Sequence, residues 1–171
     1  MVDLIAFLEG VFGNPVLFFP LLFLFSVLVA VILPIPIEFA LIWPILSGDF
    51  VLFVGATLTI AIGKTVGAWA IFFLGIRVED NIRRWSEKYR FWKRFVELMT
   101  RFVRRTRHVG LLILLSIPLM PDTVPIYIYS LFNTEGEVLS MNVFLGVNFV
   151  AGVIRSVIVA ALFVAFGFVA V

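Results

Sequence analysis

From residue 33 the chain reads Leu33-Pro34-Ile35-Pro36-Ile37-Glu38, stays apolar to Trp43, and continues Pro44-Ile45-Leu46-Ser47-Gly48-Asp49. Three prolines in eleven positions remove backbone donors and disfavour helix at the residues before them, so no regular spanning helix runs through this stretch. Residues 10–37 before it carry no charge, and residues 15–33 cross or nearly cross an apolar core that takes about 20 helical residues. After it, residues 50–76 form a second span whose single charge is Lys64. Residues 34–48 are too short to span by themselves. Non-helical backbone at membrane depth is tolerated only under protein or beside a water-filled cavity, so the expectation here is a re-entrant hairpin.

The composition agrees with that reading. Of 171 residues, 63% are hydrophobic and 14% charged, against about half and about a quarter in soluble domains. The mean hydropathy is +1.16. A water-soluble enzyme is excluded, and the length suits one membrane domain over residues 1–171 with at most about six spans. There is no cysteine and one histidine, His108, which leaves no thiolate chemistry and little scope for a metal site. The first apolar segment follows Asp3 and Glu9 with no basic residue before Lys64, so it lacks the positive region of a signal peptide and is expected to stay.

The second half repeats the layout. His108-Val109-Gly110 opens an apolar run to Ile117, followed by Pro118-Leu119-Met120-Pro121-Asp122-Thr123-Val124-Pro125, an aromatic stretch to Phe132, a polar turn, and a long span from Met141 to Val171. Each proline cluster carries a carboxylate directly after a proline or one residue later. Gly55 and Gly146 differ by 91 positions, as do Lys64 and Arg155. Glu38 precedes Lys64 by 26 while Asp122 precedes Arg155 by 33, so aligning the acids needs a seven-residue gap. Two similar halves with broken segments in matching places are the sequence pattern of an inverted repeat with its site where the breaks meet. The expected fold is therefore all-α: residues 15–76 as one repeat, residues 108–171 as the other, each with a Pro-rich hairpin and a long transmembrane helix.

Residues 77–107 join them with eleven Lys or Arg against four acids. A basic block between apolar halves belongs on the cytoplasmic side. Its apolar residues Val78, Ile82, Trp85, Tyr89, Trp92, Val96, Met99 and Val103 recur at helical spacing, which predicts an amphipathic interfacial helix or a hairpin of two. Arg83, Arg84, Arg104 and Arg105 are its candidate contacts with anionic lipid headgroups. The apolar periodicity distinguishes the block from a nucleic-acid tail. A solvated connector is the competing reading.

Glu38, Lys64, Asp122 and Arg155 are the ionisable residues embedded in apolar sequence. Each unpaired charge near a helix centre costs about 2.5–3.5 kcal/mol, so they pair, protonate or face water. Glu38 with Arg155 and Asp122 with Lys64, or each acid with the base of its own half, both balance charge. Functionally they line a polar pathway, with Lys64 or Arg155 meeting phosphate and Glu38 or Asp122 accepting a proton. The alternative is two static ion pairs. Asp49 is placed to cap the second span. Gly63-Lys64-Thr65-Val66-Gly67 allows close helix approach, compatible with a homodimer and equally with packing inside one chain.

The stretch from Leu33 to Glu38, with Ser47-Gly48-Asp49, Gly55-Ala56-Thr57, the Gly63 to Gly67 motif and Leu74-Gly75-Ile76-Arg77, resembles the first half of the DedA proteins. These belong to a superfamily that includes the VTT-domain scramblases, or SNARE-associated Golgi proteins. His108-Val109-Gly110 and the cluster from Pro118 to Asp122 are similar to that family's second hairpin. The resemblance implies two facing re-entrant hairpins at Pro34, Pro36 and Pro44 and at Pro118, Pro121 and Pro125. It also implies movement of lipids or polyprenyl-phosphate carriers between leaflets of a cell membrane, in some members coupled to protons. Glu38 and Asp49 match positions of functional acids. Where many members carry arginines around the second prolines this chain has Ser116, Met120 and Asp122, which shifts the basic role to Lys64 or Arg155. The competing class is a proton- or sodium-coupled exporter of small cations or drugs. Intramembrane catalysis has no support from a GxSxG, HExxH or P-loop motif, and no cofactor is called for.

Overall fold

The computed structural model describes residues 14–86, 90–133 and 138–166, and all regular structure within them is helical. In order these are α1 (Pro15–Val31), a 3₁₀ turn (Ile37–Leu41) running into α2 (Ile42–Leu46), α3 (Phe50–Ser86), α4 (Arg90–Ser116), α5 (Thr123–Leu131) and α6 (Met141–Ala165).

The boundaries follow from capping and proline chemistry. Asn14 accepts from the Val16 amide at 3.0 Å with Pro15 in the first turn of α1, where its missing donor costs nothing. Asp49 Oδ1 accepts from the amides of Val51 and Leu52 at 2.8 and 3.1 Å and starts α3. Ser140 Oγ accepts from Val143 at the start of α6. Before it, Asn133 holds Leu139 by two 2.7 Å bonds, Nδ2 donating to the carbonyl and Oδ1 accepting from the amide.

α1 and α3 lie in close contact and run parallel. A Cβ built on Gly55 meets the Phe19 ring, on Gly63 the Cβ of Ser26 at 2.6 Å, and on Gly67 the Cβ of Ala30 at 2.6 Å. The glycine pair is thus filled within the chain by α1, which offers the small residues Ser26 and Ala30. Parallel neighbours require residues 32–49 to bring the chain back along the bundle, through the 3₁₀ turn and α2. α6 runs antiparallel to α3: Ala61 packs on Gly152, and the Phe72 and Phe144 rings stand 5.1 Å apart. The second half doubles back as well. α4 is kinked at Arg107 (φ 46°, ψ −141°) and ends at Ser116, before Ile117-Pro118. α5 then runs along α3, from Asp122 beside Lys64 to Ser130, whose Oγ donates to the Ile71 carbonyl at 2.8 Å.

Phe50–Leu74 of α3 and Met141–Ala165 of α6 are each 25 residues, long and apolar enough to cross a membrane. They begin 91 positions apart. Their outward faces are apolar: Val54, Leu58, Ile62, Val66, Trp69 and Phe73 on α3, and Val143, Val150, Ile154, Val157 and Val164 on α6, are exposed at helical spacing. The inside holds Lys64, Asp122, Asn148, Arg155 and Ser156. Along these two spans the exposed face is apolar, unlike that of a soluble helical domain, where charge is outside.

The basic block is shared between two helices and ends at the Arg107 kink inside α4. Residues 77–86 continue α3 and residues 90–107 open α4; Gly75, with apolar helix formers before it and no proline, does not end the helix.

Candidate functional site

Asp122 lies where α4 has ended and α5 begins. It occupies the N-cap position of α5 but makes no capping bond. Its side chain turns instead to the two long helices, where Oδ1 meets Lys64 Nζ of α3 at 3.0 Å and accepts from Arg155 Nη1 of α6 at 2.6 Å. The three side chains are at most 2% exposed. Arg155 also reaches both edges of the break: Nη1 donates to the Leu115 carbonyl at 3.5 Å and Nη2 to the Met120 carbonyl. Leu115 is in the last turn of α4, whose carbonyls lack helical partners and carry partial negative charge, while Asp122 is at the positive end of α5. The broken helix thus places each charge at the terminus that favours it.

The break has strained backbone. Leu119, between Pro118 and Met120, sits at φ 62°, the left-handed region that costs a side-chain-bearing residue about 1–2 kcal/mol. That turn aims the Met120 carbonyl at Arg155.

Past Asp122, α5 meets the end of α1 and the first residues of the returning segment. Tyr127 Oη of α5 donates to the Val31 carbonyl at the end of α1, 3.0 Å away. Val31, Ile32 and Pro34 on one side and Thr123, Val124 and Tyr127 on the other line an open cleft of about 430 Å³. Its walls are mostly apolar, and Thr123 Oγ1 is buried with no hydrogen-bond partner in the protein.

Three of the five pathway candidates, Lys64, Asp122 and Arg155, therefore form one cluster. Both bases share Asp122, a sharing that neither of the two pairing schemes anticipates. Glu38 is the second residue of the 3₁₀ turn, and its side chain lies outside the described residues. Asp49 is exposed at the start of α3, 15 residues or about 22 Å of helix from Lys64, and its contacts are those of a cap. Of the hairpin prolines, Pro36 precedes the 3₁₀ turn, Pro44 is inside α2, Pro118 and Pro121 flank the strained Leu119, and Pro125 is in the first turn of α5. Pro34 lines the cleft. Arg104 and Arg105 are exposed on α4. Arg83 and Arg84 belong to the far end of α3, with side chains outside the described residues.

Two functional candidates escape a charge-based reading: Thr57 and Asn148, buried on the facing sides of α3 and α6. Their signal is the 91-residue step itself, which relates them as it relates Lys64 to Arg155.

Models of known families, curated proteins and solved structures give no match to the chain.

Proposed function

We propose that this chain is a multi-pass membrane protein that moves lipids or polyprenyl-phosphate carriers between the leaflets of a cell membrane, as its resemblance to the DedA type implies. The two halves act as inverted repeats, and their doubled-back segments as re-entrant hairpins that meet inside the bilayer. One observation carries the reading: a buried Lys64, Asp122 and Arg155 cluster at the break between α4 and α5, next to a cleft formed by both doubled-back segments.

Translocation asks a protein to shelter a polar headgroup at a depth where water is absent while the tails stay in hydrocarbon. An apolar outer surface with ionic and hydroxyl groups inside meets both requirements. The cleft is walled mainly by apolar residues suited to the tails, and one of its lining residues, Thr123, directly follows Asp122 in the chain. The guanidinium of Arg155 and the ammonium of Lys64 are the groups that attract a phosphate. On the positive-inside rule residues 77–107 face the cytoplasm. The protein does this as a transporter, without catalysis and without a cofactor.

The test is scrambling in proteoliposomes containing a fluorescent headgroup-labelled lipid, read by an impermeant quencher. The wild type is expected to raise the quenched fraction from half to nearly all, and Asp122→Asn and Arg155→Ala to abolish the rise while still eluting as folded protein. No rise above protein-free vesicles, with a labelled polyprenyl phosphate included, would sink lipid translocation and favour gradient-driven export of small cations.

A further inference from the structure

Thr57 and Asn148 each bury a side-chain oxygen that nothing in the protein bonds, Oγ1 in one and Oδ1 in the other. The amide orientation of Asn148 is fixed, because Nδ2 donates to the Phe144 carbonyl at 2.8 Å; the remaining atom is an acceptor only. Asp122 Oδ2, Ser116 Oγ and Thr123 Oγ1 are buried without a partner too. Buried polar atoms in folded proteins are bonded, to protein or to ordered water. Thr65 and Ser156, one position beyond Lys64 and Arg155 and also 91 apart, show the contrast. Their hydroxyls donate to their own helices, at the carbonyls of Ala61 (2.7 Å) and Gly152 (3.0 Å). The unsatisfied atoms are therefore concentrated around the ion cluster and along the α3–α6 contact.

The helix directions set their order. Ala61 opposite Gly152 and Phe72 opposite Phe144 bring Asn148 level with residues 65–68 of α3. Thr57 and Asn148 then lie on opposite sides of the cluster, roughly 12 to 17 Å apart along the bundle at about 1.5 Å per residue. Thr57 is nearer the end where α3 begins, and Asn148 nearer the end where α3 continues into the basic residues.

We infer that a file of water threads the contact between α3 and α6, reaching the ion cluster past Thr57 from one membrane face and past Asn148 from the other. Water fits the donor and acceptor set. Two of the five orphan atoms only accept, three are hydroxyls that do either, and a molecule that donates twice and accepts twice serves them all. The inference rests on the membrane-spanning part of the proposed function and adds the route along which a headgroup stays solvated.

The chain has no cysteine, so Thr57→Cys and Asn148→Cys each introduce a single thiol. In sealed vesicles of known orientation, a membrane-impermeant sulfonated methanethiosulfonate is applied to one face at a time. Thr57→Cys is expected to react from the extracytoplasmic face and Asn148→Cys from the cytoplasmic face. Each should react at least about tenfold faster than Ser156→Cys, equally buried but off the file, since thiol modification follows access and thiolate fraction. Rates as slow as Ser156→Cys at both positions, or reaction of both from one face, overturn the file.

A second measurement needs no substitution. Radiolytic hydroxyl footprinting of the unaltered chain in nanodiscs should oxidise Met120, two residues before Asp122, as fast as Met141 at the start of its helix. Protection of Met120 overturns the file even where a cysteine variant fails to fold. Lipid scrambling measured in the same vesicles separates the two ideas. Thiol labelling without scrambling supports the file and sinks lipid translocation, whereas scrambling without labelling overturns the file and leaves translocation standing.

Discussion

Lys64 and Arg155, on antiparallel helices and 91 residues apart, converge on one carboxylate oxygen of Asp122, at 3.0 and 2.6 Å. The acid is thus shared, and its removal strips both buried cations of a counter-charge at once. Breaking a buried ion pair costs about 3–5 kcal/mol, so Asp122→Ala is expected to lie at or beyond the top of that range. Lys64→Met and Arg155→Met should each cost less, because the carboxylate keeps its other base. Unfolding in mixed micelles, followed by loss of helix signal, reads the order directly. A variant at Asp122 no less stable than the one at Lys64 would mean that the carboxylate is not the hub.

Gly63 and Gly67 test where the small-residue motif is used. A Cβ at either position meets a Cβ of α1 at 2.6 Å and a backbone carbonyl of α1 at 2.9 to 3.0 Å, so Gly63→Val must push α1 away from α3. Overpacking of this kind costs about 1–3 kcal/mol. The thermal midpoint should fall with no change of oligomeric state on light scattering, and Ser26→Gly should recover part of the loss by opening space opposite. Dissociation of a dimer at unchanged thermal midpoint would instead assign the motif to an interface between chains.

The breaks in the helices were legible where prolines cluster: Pro34, Pro36, Pro118 and Pro121 all stand between helices, whereas the single Pro20 and Pro44 are carried inside α1 and α2. The burial of Lys64, Asp122 and Arg155 was legible for a similar reason, since no long apolar segment offers them an outside. Which charges pair was not. Pairing depends on the relative direction of α3 and α6, and that is set by side chains meeting across 91 residues, such as Ala61 on Gly152. That the basic block could divide into two helices was open from the start, but where it divides between α3 and α4 was hidden, because a uniform 3.6-residue pattern says nothing of where a helix stops. Thr57 and Asn148 were hidden by their chemistry, as uncharged polar residues in a membrane helix ordinarily bond to their own backbone or a neighbour.

Arg104 and Arg105 are exposed on the same helix as exposed Leu98 and Phe102, an arrangement that seats cations at headgroup level with apolar neighbours beneath. Each such charge near an anionic surface contributes about 1 kcal/mol, and the contribution fades within a Debye length of about 10 Å at 0.1 M salt. Arg104→Gln with Arg105→Gln should therefore lower the anionic lipid retained through purification several-fold at low salt and far less at high salt. Equal retention by wild type and variant at low salt, read by native mass spectrometry, would return the basic part of α4 to the role of a solvated connector.

Leu119 carries the left-handed turn that directs the Met120 carbonyl to Arg155, and its side chain is 67% exposed. Glycine adopts φ near 62° without strain, while a β-branched residue there is a conformational outlier. Leu119→Gly releases strain of about 1–2 kcal/mol and offsets part of that through about 0.5–1 kcal/mol of added chain entropy in the unfolded state. Its expected effect runs from neutral to slightly stabilising. Leu119→Val, which also removes little buried surface, should be clearly destabilising, and by loosening the Met120 carbonyl it should weaken the hold on Arg155. The gap between the two variants in unfolding free energy is the quantity to measure. Equal stability would mean that the turn is not held in the left-handed region, and the geometry that brings Arg155 to the break would need another cause.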